Sequence, residues 1–285
     1  MRSRSRCAAL VLSLSLPLAA CGAEDGKDPE ERQPPKRTSA PAPAPESPED
    51  FLALAAEAMA EEGAWTFSVK GEEGLTHQGQ RSAASYRATV RRAMAPQALY
   101  SQGVSISSKG VKKDEEIYVA DGTAHLRDGD APWKAAPASD SEMRNKVEDA
   151  VAVIEDFRTY ARAATGDGVK PVLVDGAVEL RVRSGEERLA AVRDRSWVKK
   201  AVREFEPTAE QLREAGIPVD EAQVTLSGLE EVLVLDATTY RIRSYRFTFG
   251  FLVPYGGQDI AFDQDVRQEN QGVFEGEIEM PAGVR

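Results

Sequence analysis

Between Tyr240 and Phe251 the chain carries a strand that changes face part-way. Tyr240 and Ile242 fall on one phase of a two-residue alternation, whereas Tyr245, Phe247, Phe249 and Phe251 fall on the other. Successive strand side chains point to opposite faces, so the slip near Arg243 or Ser244 predicts a β-bulge or a sharp bend. Bulges add coil and twist, and a long strand bent in this way belongs to a strongly curved sheet.

The rest of the chain supplies strands for such a sheet and helices to cover it. Trp65, Phe67 and Val69 alternate with polar residues, and further strands are expected at Ser85–Arg92, Ala98–Ser107, Glu115–Ala120 and Thr123–Arg127. Asp121-Gly122 marks a hairpin between the last two. Later strands are expected at 178–182, 223–226, 231–235, 240–251 and 259–268, with a final piece around Ile278. Ser47, Pro48 and Asp50 write a capped helix start, and Phe51, Leu54, Ala55, Ala58 and Met59 share its apolar face up to Gly63. A second helix is expected from Asp140 to Thr165, boxed by Ser139 and Glu142 and stopped by Gly166. Its stripe is Met143, Val147, Ala150, Val151, Ile154, Phe157 and Ala161. A third helix is expected from Gly185 to Phe205. A short one follows from Ala209 to Ala215, boxed by Thr208 and Gln211 and ended by Gly216 and Pro218. The fold class expected is α+β: a strongly curved antiparallel sheet, a half-barrel, with helices on its concave side.

At the N-terminus, Arg2, Arg4 and Arg6 precede an apolar run from Cys7 to Ala20, too short to span a bilayer. Its end, Leu18-Ala19-Ala20-Cys21-Gly22, resembles the lipobox of a bacterial lipoprotein signal peptide. That resemblance implies cleavage between Ala20 and Cys21, lipid attachment to Cys21, and a protein held by acyl chains on the outer face of the cell membrane. The expected organisation is residues 1–20 as signal peptide, 21–47 as lipidated cysteine and tether, and 48–285 as one half-barrel domain. The tether, with Pro34-Pro35 and Ala40-Pro41-Ala42-Pro43-Ala44-Pro45, is too poor in large apolar residues to fold. About 235 residues beyond it suffice for one large β-rich domain. The formal charge of −11 becomes about −14 once the three arginines leave, which argues against nucleic acid as a partner. The chain's two cysteines are Cys7 and Cys21, so the domain contains no thiol for a disulfide or a thiolate metal site. Arginine outnumbers lysine and alanine is abundant, a composition that suggests a high-GC, actinobacterial source.

The order of elements resembles the half-barrel lipoproteins of actinobacteria, the LppX and LprG family, which share their fold with the LolA and LolB carriers. The residues that carry the likeness are Glu116-Ile117-Tyr118-Val119-Ala120-Asp121-Gly122, Pro132-Trp133-Lys134, and Val232-Leu233-Val234-Leu235-Asp236 with Thr238, Thr239 and Tyr240. It extends over roughly Phe51 to Pro281, and the charged stretch from Gly185 to Ala215 is longer than the family pattern. The resemblance implies a LolA-like curved sheet around helices and an apolar cavity between them that takes acyl chains of glycolipids or lipoproteins. It brings no individual ligand-contacting residue to this chain.

No catalytic constellation is written in the sequence. His77 and His125 are its two histidines, and neither stands in an acid and nucleophile pattern. Asp128-Gly129-Asp130 and Asp263-Gln264-Asp265 lack the spacing of a calcium loop. We expect no enzyme activity, no cofactor and no metal. The candidate cavity lining is Trp65, Phe67, Ile154, Phe157, Tyr245, Phe247 and Phe249, although a packed core accounts for the same alternation. An open apolar cavity would favour a carrier of lipid or another hydrophobic ligand. A core packed shut would favour a non-enzymatic envelope protein that binds or regulates another envelope protein through its sheet face.

Overall fold

The computed structural model describes residues 44–163 and 168–284. The signal segment, Ala20, Cys21 and most of the 21–47 tether lie outside the described residues, and so does the Gly166 stop.

Six strands follow the first helix, α1 (Pro48–Glu61): β1 (Ala64–His77), β2 (Gln80–Met94), β3 (Gln97–Ile106), β4 (Lys112–Ala120), β5 (Thr123–Asp128) and β6 (Lys134–Pro137). Two helices come next, α2 (Ser141–Lys146) and α3 (Val153–Arg162), and then β7 (Lys170–Val174), β8 (Ala177–Ser184) and β9 (Glu187–Arg188). The chain continues through α4 (Leu189–Val192) and α5 (Ser196–Glu214) to β10 (Thr225–Asp236), β11 (Ile242–Tyr255) and β12 (Gln258–Val273). All strands join one antiparallel sheet in the order β6-β5-β4-β3-β2-β1-β12-β11-β10-β8-β7, with β9 beside β10. The early strands step away from β1 in one direction and the late strands from β12 in the other. The two halves meet at the β1–β12 seam, where Val69 stands opposite Gln268 and Gly71 opposite Val266. The sheet does not close, and β6 and β7 are its edges.

The phase slip is a bulge. Val234 pairs with Ser244 and Leu235 with Ile242, so Arg243 is left over, and Ile242 and Tyr245 are both buried although three residues apart. A second shift passes over Ser227, and a third, on β12, passes over Gln271. These extra residues bend the long central strands and give the curved α+β half-barrel its concave side.

Helices fill most of that side. In α1 the expected capping box is present: Asp50 N donates to Ser47 Oγ at 3.2 Å, and Ser47 N to Asp50 Oδ2 at 3.0 Å. Phe51, Leu52, Ala55 and Met59 are buried, and the Trp65 indole donates to Met59 O at 2.7 Å. The central helix differs from expectation in two ways. Asp140, rather than Ser139, caps it, and the helix breaks over residues 147–152 into α2 and α3. The break has a local cause: Asp149 Oδ1 accepts from Val151 N and Ala152 N, and Arg92 Nε holds Asp149 Oδ2 at 2.8 Å.

The expected division between 205 and 209 is corrected in the opposite sense, because α5 runs unbroken through Pro207. Proline has no N–H for the carbonyl four residues back, that of Arg203. Asn145 Nδ2 supplies the missing donor at 3.1 Å, which pins α2 to α5. Around Ile278 the chain is not a strand; it runs past β12 until Ala282 O accepts from Trp133 Nε1 at 3.3 Å.

One large core unites α1, α3 and α5 with the inner face of the sheet, and Ile117, Ala124, Leu126 and Met143 form a small satellite. Val151, Ile154 and Phe157 of the expected stripe are buried, with Val147 half-buried at its end. Phe157 is fully enclosed. Replacing it with Ala should therefore cost about 3–5 kcal/mol of unfolding free energy, measured by chemical denaturation, while the far-ultraviolet circular dichroism keeps its mixed β and helix form.

Candidate functional site

Along β1 the inner face changes character half-way. Trp65, Phe67 and Val69 are buried under the helices, but the next inner positions are Gly71 and Glu73. Across the seam they face Val266 and Gln264, and on the other side Tyr86 and Ala84 of β2. Gly103 of β3 lies beneath Tyr86, where a Cβ would stand 2.7 Å from the tyrosine ring. Small and polar residues thus replace bulky ones at these positions, and the concavity stays open beside them. A cleft of about 300 Å³ lies between the α2–α3 connection, α5 and the strands, with Val119, Val147, Val153, Phe247 and Val266 as its apolar lining. A second, of about 260 Å³, passes over Gly71, Glu73, Ala84 and Tyr86 and shares Asn145, Glu148 and Val266 with the first. Together they form one groove.

Its polar groups come from three directions. On α5, Lys200 Nζ reaches Asp156 Oδ2 at 2.9 Å, Glu231 Oε1 at 2.8 Å and the Tyr245 hydroxyl at 2.8 Å. Tyr245 in turn donates to Glu231 Oε1 at 2.8 Å. Glu231 has no exposed surface, and its inner-face position between Val182 and Phe247 would be untenable for an unpaired charge. Burial opposes the Lys200 ammonium, yet Glu231 and Asp156 outweigh it and hold the pKa above the ordinary lysine value. Burial, followed by the Glu231 charge, raises Tyr245 well above an ordinary phenol, so it stays a neutral donor.

Glu148 is answered differently. The break after α2 turns it toward β12, where Gln268 Nε2 donates to its Oε2 at 2.6 Å. Burial, and next the charge of Glu204, push its carboxyl up to about 8. Glu204 itself accepts from Gln264 Nε2 at 2.9 Å, with Arg203 at 3.6 Å, and burial raises it too. Glu73 is also raised by burial. Among the described residues, neither Glu148 nor Glu73 has a cation within ion-pair distance. Gln268 is 1% exposed and its Oε1 has no partner.

The seven aromatic and aliphatic residues expected to line a cavity divide. Tyr245 and Phe247 do line the cleft. Trp65, Phe67, Ile154, Phe157 and Phe249 are in the core, and the Phe249 ring centre lies 4.9 Å from that of Phe247 and 5.8 Å from that of Phe262. The cause is the close fit of α1, α3 and α5 against the curved sheet. Glu148, Glu204, Lys200, Gln264 and Gln268 are additions that the sequence reading missed. A signal for some of them exists, since Gln264 and Gln268 share the phase of Phe262 and Val266, and Glu231 shares that of Leu229 and Leu233.

Other candidates lie apart from the groove. His125 is buried against Tyr118, and His77 stacks on Tyr255. In the two acidic clusters that lack calcium-loop spacing, Asp128 is ion-paired with Lys113, Asp263 with Arg81, and Asp265 with Arg246 and Arg267. No group of three metal-ligating side chains occurs among the described residues. A larger cleft of about 570 Å³ between α2, α4 and α5 is lined largely by charged residues, among them Arg193, Glu206, Glu210 and Glu221, whose aliphatic stems together with Leu189, Val202 and Pro207 make much of its wall apolar.

No family model matches the chain, and no curated protein does. Among solved structures, the ywiB protein of Bacillus subtilis is similar at 8% identity and a TM-score of 0.21, over 73% of this chain and 94% of that one. A DUF1329 family protein of Desulfovibrio piger gives 9% and 0.30, over 79% and 92%. A β-barrel-like DUF1849 protein of Brucella abortus gives 5% and 0.24, over 73% and 98%.

The carboxyl of Glu148 ties the groove to pH. Its proton affinity is higher in the folded chain than the ordinary value of 4.5, so the folded state holds the extra proton between about 4.5 and about 8. Stability must fall as pH rises through that window. Glu148→Gln removes the ionisation, and its gain in stability over the natural chain should grow from pH 5 to pH 8.5 by on the order of 2 kcal/mol, after allowance for partial solvent contact. Denaturation curves at the two pH values check this, and a pH-independent difference would refute it.

Proposed function

We propose that this chain is a non-enzymatic envelope lipoprotein, tethered to the outer face of the cell membrane by acyl chains on Cys21, whose half-barrel binds a lipid-like ligand in the groove. The observation that supports this most is the apolar strip of Val119, Val147, Val153, Phe247 and Val266 left open beside buried charges. The cleft that holds this strip, about 300 Å³, is at the small end for ligand sites, and its walls mix apolar with polar side chains. The ligand is therefore amphipathic, with one short apolar portion in the groove, in contrast to the several acyl chains that the resemblance to LppX and LprG lipoproteins implies. Each methylene of an anchor buried in the bilayer contributes about 0.8 kcal/mol, so Cys21 governs membrane partitioning on this reading.

A second reading, contact with another envelope protein, is favoured by one observation. The edge strand β7 exposes Val172, Leu173 and Val174, with Leu173 at 73%. The outer sheet face argues less for it, since its charges already pair with one another, as in Arg246–Asp265 and Arg181–Glu230.

Two variants of the full chain, recovered from membranes, test the ligand reading. Val266→Trp should fill the strip and lower co-purifying lipid, counted by mass spectrometry, at least tenfold while the circular dichroism is retained. Cys21→Ala should move the protein out of the detergent phase or block its processing. Undiminished lipid in the tryptophan variant, or none in the natural chain, would favour the edge-strand reading.

A further inference from the structure

The groove is wrongly furnished for a neutral or anionic guest. Its central carboxylate, Glu148, has one oxygen held by Gln268 Nε2, while Gln268 Oε1 is buried without a donor. Glu204 stands on the same cleft, its Oε2 accepting from Gln264 Nε2 at 2.9 Å and its Oε1 paired with Arg203 at 3.6 Å. The other acids there are already matched, Asp149 with Arg92 and Asp156 with Lys200. The second oxygen of Glu148 and Gln268 Oε1 are thus two acceptors on one cleft; of the cations that line it, Lys200 is paired with Asp156 and Glu231 and Arg203 with Glu204, while Arg144 is exposed to solvent. A buried acceptor without a donor costs about 1–3 kcal/mol, so the site as it stands lacks a donor.

We propose that the groove seats a protonated primary amine: an alkylammonium group against Glu148 and Gln268 Oε1, with its short apolar chain along Val147, Phe247 and Val266. An ammonium has three donors and no acceptor, so one such group serves both oxygens at once. The apolar strip of Val147, Phe247 and Val266 beside the two oxygens gives the chain of an organic cation a contact that a bare metal ion would not use. The chain's net charge of −11 draws cations toward it. A proton on Glu148, favoured by burial and by the Glu204 charge, does part of the same work. The proposal rests on the reading that the groove takes an amphipathic ligand and adds the sign of its head.

Calorimetric titration of the full chain in detergent, with the detergent blank subtracted, separates the two claims. At pH 9 the Glu148 carboxyl is ionised and an alkylamine is still protonated. Hexylamine should bind at least tenfold more tightly than hexanol, and hexanoate should not bind detectably. In Glu148→Gln, which loses a charge that burial disfavours and so should fold, hexylamine should fall to the level of hexanol. Equal binding of hexylamine and hexanol to the natural chain would overturn the ammonium site and leave the amphipathic groove standing. A tenfold preference that survives in Glu148→Gln would overturn it as well, by placing the cation elsewhere. Binding of neither probe would overturn both.

Discussion

An open sheet with one apolar face cannot stand in water uncovered, and the fold follows from how that face is hidden. The curvature set by the bulges at Arg243 and Ser227 lets α1, α3 and α5 press into the concavity, so that most inner residues are in one core. Where the inner face turns to Gly71, Glu73, Gln264 and Gly103 there is less apolar area to hide, and a groove remains beside α5. Core and groove thus alternate along the inner face: Gly71, Glu73 and Gln264 interrupt it, and Leu75, Phe251 and Phe262 beyond them are apolar and packed again.

Period-two patterns made the curved sheet legible, because a buried face and a solvated face impose opposite chemistry on alternate residues. The slip at Arg243 could even be located to within a residue. The helices were harder, since tertiary partners decided their boundaries. Asp149 breaks a continuous apolar stripe because Arg92, far away in sequence, holds its side chain. Pro207 fails to break α5 because Asn145 serves the carbonyl it abandons. Neither partner is visible to a local reading.

The groove was hidden for a related reason. Glu148, Lys200 and Glu204 are spaced as solvated residues on helical stretches, and charges in such places ordinarily face water. Only the break at 147–152 aims Glu148 at β12, and only the fit of α5 into the sheet buries Lys200 against Glu231. Conversely, the aromatic residues that looked like a cavity wall are mostly structural. Sequence alternation tells which side chains share a face; whether that face ends in contact or in empty space depends on helices supplied from elsewhere in the chain.

The seam between β1 and β12 joins the first strand of the domain to the last, some of its paired residues being about 200 positions apart, as with Trp65 and Val273. Pairings of such long range slow folding, because the loop must close before the contacts can reward it. A chain that emerges amino end first must therefore wait for β12 before its two half-sheets can be stitched together. Until then β1 and β11 are bare edges, and the half-barrel is open to mispairing and to chaperones along the line where it will later be strongest.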